Sequence, residues 1–426
     1  LHPDFWLLLL GLFSVGAFLS GLYPAIVLSS FKPVSVLKGS LIRGQHGDYM
    51  RKSLVVFQFF ASVVLIVGSV VVYQQLRFMR NQDIGIDINS TLVVKGPGVI
   101  QDSLFEGAIT GLRTSAQRIP GIVSMTASSN VPGDEIFWAS SIRRLDRGED
   151  SNLIGYTVGM DHQYVPSFGL KIVAGRNFDL DHPNERDNII LNEAMVGALD
   201  YQSPEEAIGK QVRHLGDTFE IVGVLENYHQ MSLKQAVTPL VYHYTPQFAS
   251  FFAFKIESDN YQQTLADLQG PWQQFFPGNP VDYFFLDQFF NRQYEPDRKF
   301  GQVFGLFTML AIFVSCLGLF GLASFMTLQR RKEIGIRKVM GSTESQIVIL
   351  LSKGFIQLVV VANVIAWPVA WYLSKFWLES FPYHIQVSPV LFILAAIVVI
   401  AIAFFSVALQ TIRAAQLNPA VTLKNE

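Results

Sequence analysis

The sequence predicts an α-helical membrane protein with five spans and a large α+β extracytoplasmic domain inserted between the second and third spans. Three observations predict it. Half of the 426 residues are hydrophobic and only 15% are charged. The mean hydropathy of +0.31 is too high for an ordinary soluble domain. Five apolar runs, at 5–28, 53–74, 301–328, 355–377 and 389–411, are long enough to cross a hydrocarbon layer of roughly 30 Å, which takes about 20 helical residues. Finally, the formal net charge of −2 hides an asymmetry. Segments 29–52, 329–353 and 412–426 hold 13 Lys/Arg against 4 Asp/Glu, whereas 75–299 holds 18 against 28.

The short basic pieces orient the spans, because Lys and Arg are retained on the cytoplasmic side. Lys32, Lys38, Arg43, Arg51 and Lys52 place 29–52 inside, Arg330–Lys338 places 329–353 inside, and Arg413 and Lys424 place the C-terminus in the cytoplasm. Segment 75–299 is then extracytoplasmic, with a short outer loop at 378–388. No run carries Asp, Glu, Lys, Arg or His in its interior (Lys375 falls at the outer end of the fourth), which speaks against an ion-coupled secondary transporter. Pro24 and Pro368 are candidate kinks. Gly301-x-x-x-Gly305 offers a close helix approach.

Helix-compatible sequence continues past the second span through Gln74–Asn81 and begins early before the third, around Phe289–Pro296, with Pro296 suited to a first helical turn. Two helices projecting as a stalk are the economical reading. Within the outer segment, Thr91–Lys95, Ile122–Ala127, Asn188–Leu191, Thr218–Val224, Leu240–Tyr244 and Phe251–Ile256 read as short strands. Ser103–Arg118, Glu193–Leu199 and Tyr261–Phe275 read as helices, without the regular alternation of a parallel sheet, which points to α+β in two lobes. Cys316 is the one cysteine, so the outer domain is held by its own core and not by disulfides.

Functional residues concentrate at the inner end of the third span. Arg330, Arg331, Lys332, Glu333, Ile334, Gly335, Ile336, Arg337 and Lys338 place five bases and one acid around an apolar core, and Gly341-Ser342 closes the segment. The plain reading is a positive-inside anchor on lipid headgroups. The sharper one is a short folded element whose Ile334, Ile336 and Val339 enter a groove on a partner. No G-x-x-x-x-G-K-[ST] run occurs; Gly209-Lys210 lacks the upstream glycine and the following Ser/Thr. ATP-driven work therefore needs a separate subunit.

Other constellations give no site. The carboxylates of Asp179–Asp187 fail the calcium-loop pattern, with Asn184 at the glycine position and Ile190 at the bidentate one. His162, His182, His214, His229 and His243 are scattered without metal spacing, and no G-x-S-x-G elbow is present. Trp138 and Trp272 read first as core packing and second as the lining of an apolar groove.

One internal echo is present. Pro33, Leu37 and Lys38 after the first span match Pro419, Leu423 and Lys424 after the last. With a chain that starts Leu1-His-Pro-Asp, this leads us to expect a fragment of a longer protein whose span 5–28 ends an earlier, related half.

Several segments together resemble the MacB (macrolide-exporter) and FtsX-like permeases of bacterial ABC transporters. They are Arg331–Gly341 after a Gly-rich span, the terminal Asn418–Lys424, and, in the outer segment, Met160–Phe178, Asn188–Glu193, Ala207–Lys210 and Ile221–His229. The resemblance divides the chain into four parts. Residues 1–52 would be the last span of a preceding FtsX-like half with its linker, 53–82 a span and stalk helix, and 83–286 a MacB-type periplasmic core. Residues 287–426 would be a stalk helix and FtsX-like transmembrane domain with a cytoplasmic coupling loop at 329–353. It implies that Arg330–Lys338 and Gly341 dock on a cytoplasmic ABC ATPase dimer, and that no cofactor is bound directly, ATP being used by that partner. It also implies a bacterial inner-membrane location, a second permease copy, a periplasmic adaptor or outer-membrane channel, contact with membrane lipids, and no nucleic acid. The implied function is efflux or extraction of an antibiotic, peptide or lipoprotein-type substrate. The alternative is activation of a periplasmic hydrolase or sensing of a peptide.

Overall fold

The computed structural model describes residues 3–29, 45–98, 102–146, 153–182, 184–258 and 260–415. The echo at 30–38 and the terminal Asn418–Lys424 lie outside them, as do Lys32, Lys38 and Arg43. Four helical stretches are long and apolar enough to cross a membrane: Tyr49–Asn81, Leu286–Gln329, Glu344–Leu378 and Pro389–Ile412. Helix α1 (Pro3–Ser29) contains the shorter apolar stretch Trp6–Phe18. The chain divides into two compact units, one from Leu1–Ser62, Ala311–Ile365 and Ala396–Glu426, the other from Val63–Leu310 and Ala366–Ala395.

Helix α2 (Gln45–Asn81) contributes to both units. In the first unit, the Ser62 and Ser315 hydroxyls meet at 3.0 Å, and Gly318 faces the Gln58 side chain. In the second unit, Ser69 and Thr308 hydroxyls meet at 2.7 Å, and Gly68 admits the ring of Phe304. Gly301 lies against Val72, but Gly305 has nothing within 4 Å of it, so only the first glycine of the expected pair serves close approach.

The second unit holds an 11-stranded sheet. Strands β1 (Thr91–Lys95), β2 (Ile122–Ser128), β10 (Phe251–Ile256) and β11 (Tyr283–Phe285) pair antiparallel in the order β11-β1-β10-β2. Helix α3 (Asp102–Ala116) joins the first two, and helix α7 (Tyr261–Phe275) joins the last two, giving a split-βαβ lobe. Leu92 pairs with Phe285 and Val94 with Tyr283, so the start of β1 lies beside the end of β11. The core of this lobe is aromatic. The Trp272 and Phe276 rings meet tilted at 4.8 Å, Phe252 lies edge-on to Trp272 at 5.6 Å, Phe105 meets Phe276 at 6.0 Å, and the Trp272 indole N–H is satisfied by the Asn279 carbonyl. The groove reading of Trp272 is thereby excluded. Trp138 is partly exposed, edge-on to Phe248.

Between β2 and β10 the chain builds a second lobe. Strands β3 (Ala139–Arg144), β4 (Leu153–Met160), β6 (Asn188–Asn192), β7 (Gln211–His214), β8 (Asp217–Leu225) and β9 (Leu240–Tyr244) pair in the circuit β4-β3-β7-β8-β6-β9. The parallel pairing of β9 with β4 closes the ring, and closure removes the exposed edges an open sheet would present. The short strand β5 (Ile172–Gly175) is attached to β8. In the sheet the pairing Ser128–Met160 joins the ring to the first lobe, flanked by the Ser129 N–H to Gly159 carbonyl and Asp161 N–H to Ala127 carbonyl bonds, and one buried cluster draws on Val93 and Ala253 of the first lobe and Val158 and Tyr242 of the ring. Strands β3, β4, β5, β7 and β11 were not expected from sequence, whereas β1, β9, β10 and α7 have the expected bounds.

The ring interior contains a feature the scattered histidines do not reveal. His214 on β7 and His243 on β9, strands on opposite sides of the circuit, meet at 2.9 Å between Nδ1 and Nε2 with their rings stacked. Both are buried. Burial draws His214 down to about 4, and burial together with the neighbouring His214 draws His243 down to about 3. Both folded values lie below the free value near 6.5, so on acidification the unfolded chain takes up protons first. The stabilisation is full above about pH 7 and is lost as pH falls from 6.5 toward 4 and 3, with a slope of up to about 1.4 kcal/mol per pH unit for each ring. Thermal melts between pH 7.5 and 4.5 are expected to show this fall, and His243→Leu to flatten it.

The segments that carry the family likeness are held by buried polar groups. The Asp161 carboxylate is 1% exposed. It accepts hydrogen bonds from Thr126 Oγ1 at 2.6 Å, Ala127 N at 2.9 Å and Gln163 N at 3.0 Å, and pairs with Arg113 of α3. Glu185 likewise accepts from Arg176, Asn188 and the Asp179 N–H. Burial alone would raise its pKa, but these bonds hold it below the usual carboxylate value. Asn192 Oδ1 accepts from both Met195 N and Leu240 N, capping helix α5 (Glu193–Ala198) while tying β6 to β9.

Candidate functional site

Two helices and a tight turn form the basic segment around 330–343. Helix α9 (Glu295–Gln329) ends at Arg330, whose backbone leaves helical geometry, and α10 (Arg331–Val339) begins at once. Glu333 in its first turn and Arg337 and Lys338 in its last complement the helix dipole. Glu333 and Arg337 pair at 3.2 Å, i to i+4 and exposed, which adds only about 0.3–0.5 kcal/mol.

The stop is sharply defined. Gly341 N–H donates to the Lys338 carbonyl at 3.1 Å and Ser342 N–H to the Arg337 carbonyl at 3.0 Å, the two bonds of a Schellman cap. Gly341 has φ +94°, the left-handed conformation that cap requires. Immediately afterwards Thr343 and Gln346 form a reciprocal capping box. Thr343 N donates to Gln346 Oε1 at 3.1 Å, and Gln346 N to Thr343 Oγ1 at 3.4 Å. Helix α11 (Glu344–Leu378) starts there. We expect Gly341→Val to destabilise this corner by about 1–2 kcal/mol and Gly341→Asn by less. Faster amide exchange over 338–346 in the valine variant alone would show it.

This corner decides which apolar side chains face outward. Ile334 is buried against Ile347 and Leu351 of α11, and Gly335 is buried beside it. Ile334 is therefore the pin that docks α10 on α11, which corrects the expectation that it enters a partner's groove. Ile336, Val339 and Met340 are 53%, 66% and 81% exposed. Of these, Met340 was not singled out from sequence, because its orientation depends on the helix stop. The exposed face is thus apolar in the middle and basic at its end, with Arg337 and Lys338 beside it. Further bases gather nearby in the same unit, where the Arg51 guanidinium lies over the Phe325 ring at 4.1 Å. Arg330 is exposed at the helix start.

Among the described residues no group of three or more His, Cys, Asp or Glu is placed to hold a metal. Two family models match the chain, the MacB-like periplasmic core domain over residues 60–270 and the FtsX-like permease C-terminal domain over 305–419. The chain belongs to the MacB/FtsX-like ABC-transporter permeases. In this family of ABC permeases, ATP is hydrolysed by a separate cytoplasmic ATPase subunit. The FtsX-like match spans most of α9 and the whole of α10, α11 and α12 (Pro389–Ala415). The MacB-like match takes in the ring lobe and the segments organised by Asp161 and Glu185.

Solved structures similar to this permease include the periplasmic region of MacB from Actinobacillus actinomycetemcomitans, at 16% identity and a TM-score of 0.35. That likeness covers 49% of this chain and 94% of the other. The extracellular domain of the noncanonic ABC-type transporter YknZ from Gram-positive bacteria is similar at 19% identity and a TM-score of 0.32, covering 45% of this chain and 97% of the other. No curated protein matches the chain significantly.

Proposed function

We propose that this permease couples a separate cytoplasmic ABC ATPase dimer to conformational work by its extracytoplasmic domain, and that α10 is the element the ATPase grips. In this reading the five apolar runs span the bacterial inner membrane, α10 and the C-terminus face the cytoplasm, and 75–299 lies outside. The work is efflux or extraction of an antibiotic, peptide or lipoprotein-type substrate, carried out with a second permease copy and a periplasmic adaptor or outer-membrane channel. The observation that carries the reading is the build of the α10 corner. A headgroup anchor needs only charge, whereas here one isoleucine pins the helix from behind, a Schellman cap ends it, and three large apolar side chains project beside the bases. A rigid, outward apolar ridge flanked by cations suits a groove with an acidic rim.

The test is a pull-down of the full-length protein with its ATPase, together with permease-stimulated ATP hydrolysis. Ile336→Asp and Met340→Asp are expected to lower stimulation at least tenfold while membrane insertion and outer-domain folding persist. Normal binding and stimulation in both variants would reduce α10 to a topological anchor.

A further inference from the structure

The short outer loop between α11 and α12, residues 379–388, is held in a way that a mere connection does not need. Gln75 of α2 is fully buried. Its side-chain Nε2 donates to the Tyr383 carbonyl at 2.8 Å, and its Oε1 accepts from the Ile385 N–H at 2.9 Å. One amide thus reads a carbonyl and an N–H two residues apart, as a neighbouring β-strand would, and only one orientation of the amide satisfies both. The loop is fixed in register as well as position.

Two further attachments hold the same loop. Phe381 is buried in the central core cluster of the second unit, among Met79, Phe290 and Tyr294, and Trp377 packs against that cluster. The Tyr383 ring meets His229 edge-on at 4.9 Å, and His229 N–H is itself bonded to the Ile84 carbonyl. α2, the outer-domain segment around His229 and the central core therefore all grip residues 381–385. A loop required only to turn the chain would leave its backbone to water. Here the buried Gln75 side chain fixes two backbone groups of a half-exposed loop, so losing that side chain leaves a partly buried donor and acceptor without their partner.

We infer that the 379–388 loop is a clamp that makes the outer ends of α11 and α12 move as one body with the extracytoplasmic domain, and that Gln75 is its positioning residue. The inference rests on the reading of this chain as an ATP-driven permease. It gives movement that begins beside α10, at the inner end of α11, a route to the outer domain that does not pass along the chain through α2 or α9.

The test uses the full-length protein in nanodiscs, on a Cys316→Ser background, with spin labels at Gln386 in the loop and Glu135 in the outer domain. Both sites are exposed. Without ATPase, wild type is expected to give one narrow distance and Gln75→Leu a distribution at least twice as wide; a narrow distribution in Gln75→Leu overturns the clamp. With the ATPase bound, the wild-type distance is expected to be the same with and without ATP, whereas that of Gln75→Leu shifts with ATP. This nucleotide dependence is a readout that a merely structural role would leave unmoved. Gln75→Glu supplies the rescue. Protonated at low pH, its carboxyl both donates and accepts as the amide does, and the single distance returns; ionised, it loses the donor and the distribution widens. If the ATPase fails to bind wild type, the coupling reading falls, and the transmission role with it, while the first measurement still decides the clamp.

Discussion

Asp161→Ala is expected to cost about 3–5 kcal/mol, enough to unfold the outer domain or leave it marginal, because it removes the buried partner of the half-buried Arg113 and leaves three further donors, Thr126 Oγ1, Ala127 N and Gln163 N, without their acceptor. The carboxylate joins α3, the end of β2 and the turn after β4, beside the pairing Ser128–Met160 at the junction of the two lobes. Its loss is therefore expected to loosen this junction, where one buried cluster shared by the lobes still holds them together. Asp161→Asn keeps the shape and one acceptor, and should cost less. Chemical denaturation followed by the fluorescence of Trp272, with the other five tryptophans replaced by phenylalanine, distinguishes the cases by the melting of the first lobe, and a second transition in another probe would mark the ring. Equal stability of Asp161→Ala and wild type would show that the network is decoration.

Gly175→Ala is expected to be nearly as damaging, for a different reason. Gly175 has φ +74° and pairs with Gly223 across β5 and β8. A methyl group there would collide with the Val222 carbonyl oxygen, and one on Gly223 would meet the Arg176 carbonyl. Backbone strain of about 1–2 kcal/mol and overpacking of about 1–3 kcal/mol combine in the single variant. The two glycines share one close backbone approach, so the double variant should cost less than the sum of the singles. Denaturant midpoints of the three variants measure this directly.

What the sequence made legible follows from how local each cause is. The long apolar helices, the basic inner corner and the strands β1, β9 and β10 are continuous signals in single segments, and Asn260 caps α7 where its period begins. The ring strands β3 and β7 were not legible, because four to six residues with polar outward faces become strands only when distant partners close the circuit. For the same reason His214 and His243 read as unrelated residues. Gln75 and Tyr383 stand 308 residues apart, and nothing in either neighbourhood announces the other. At α10 the residue types pointed to a partner surface. Only the packing of Ile334 against Ile347 and Leu351 divides that stretch into a side that faces inward and a side that faces out.

The placing of β1 and β11 sets how the outer domain responds to tension. The chain enters the domain at Thr91 and leaves the sheet at Phe285, and these ends lie side by side on adjacent antiparallel strands. A pull delivered through both ends in the same direction draws the two strands along their own length together. It does not peel them apart. The opposing strain falls on β10, whose five-residue register with β1 runs parallel to the pull, so those hydrogen bonds are sheared at once instead of being opened one by one. A sheet loaded in this way behaves as a stiff strap along one axis and yields readily across it. Along that axis, a stroke applied at its two ends reaches the ring lobe with little of it absorbed as stretch.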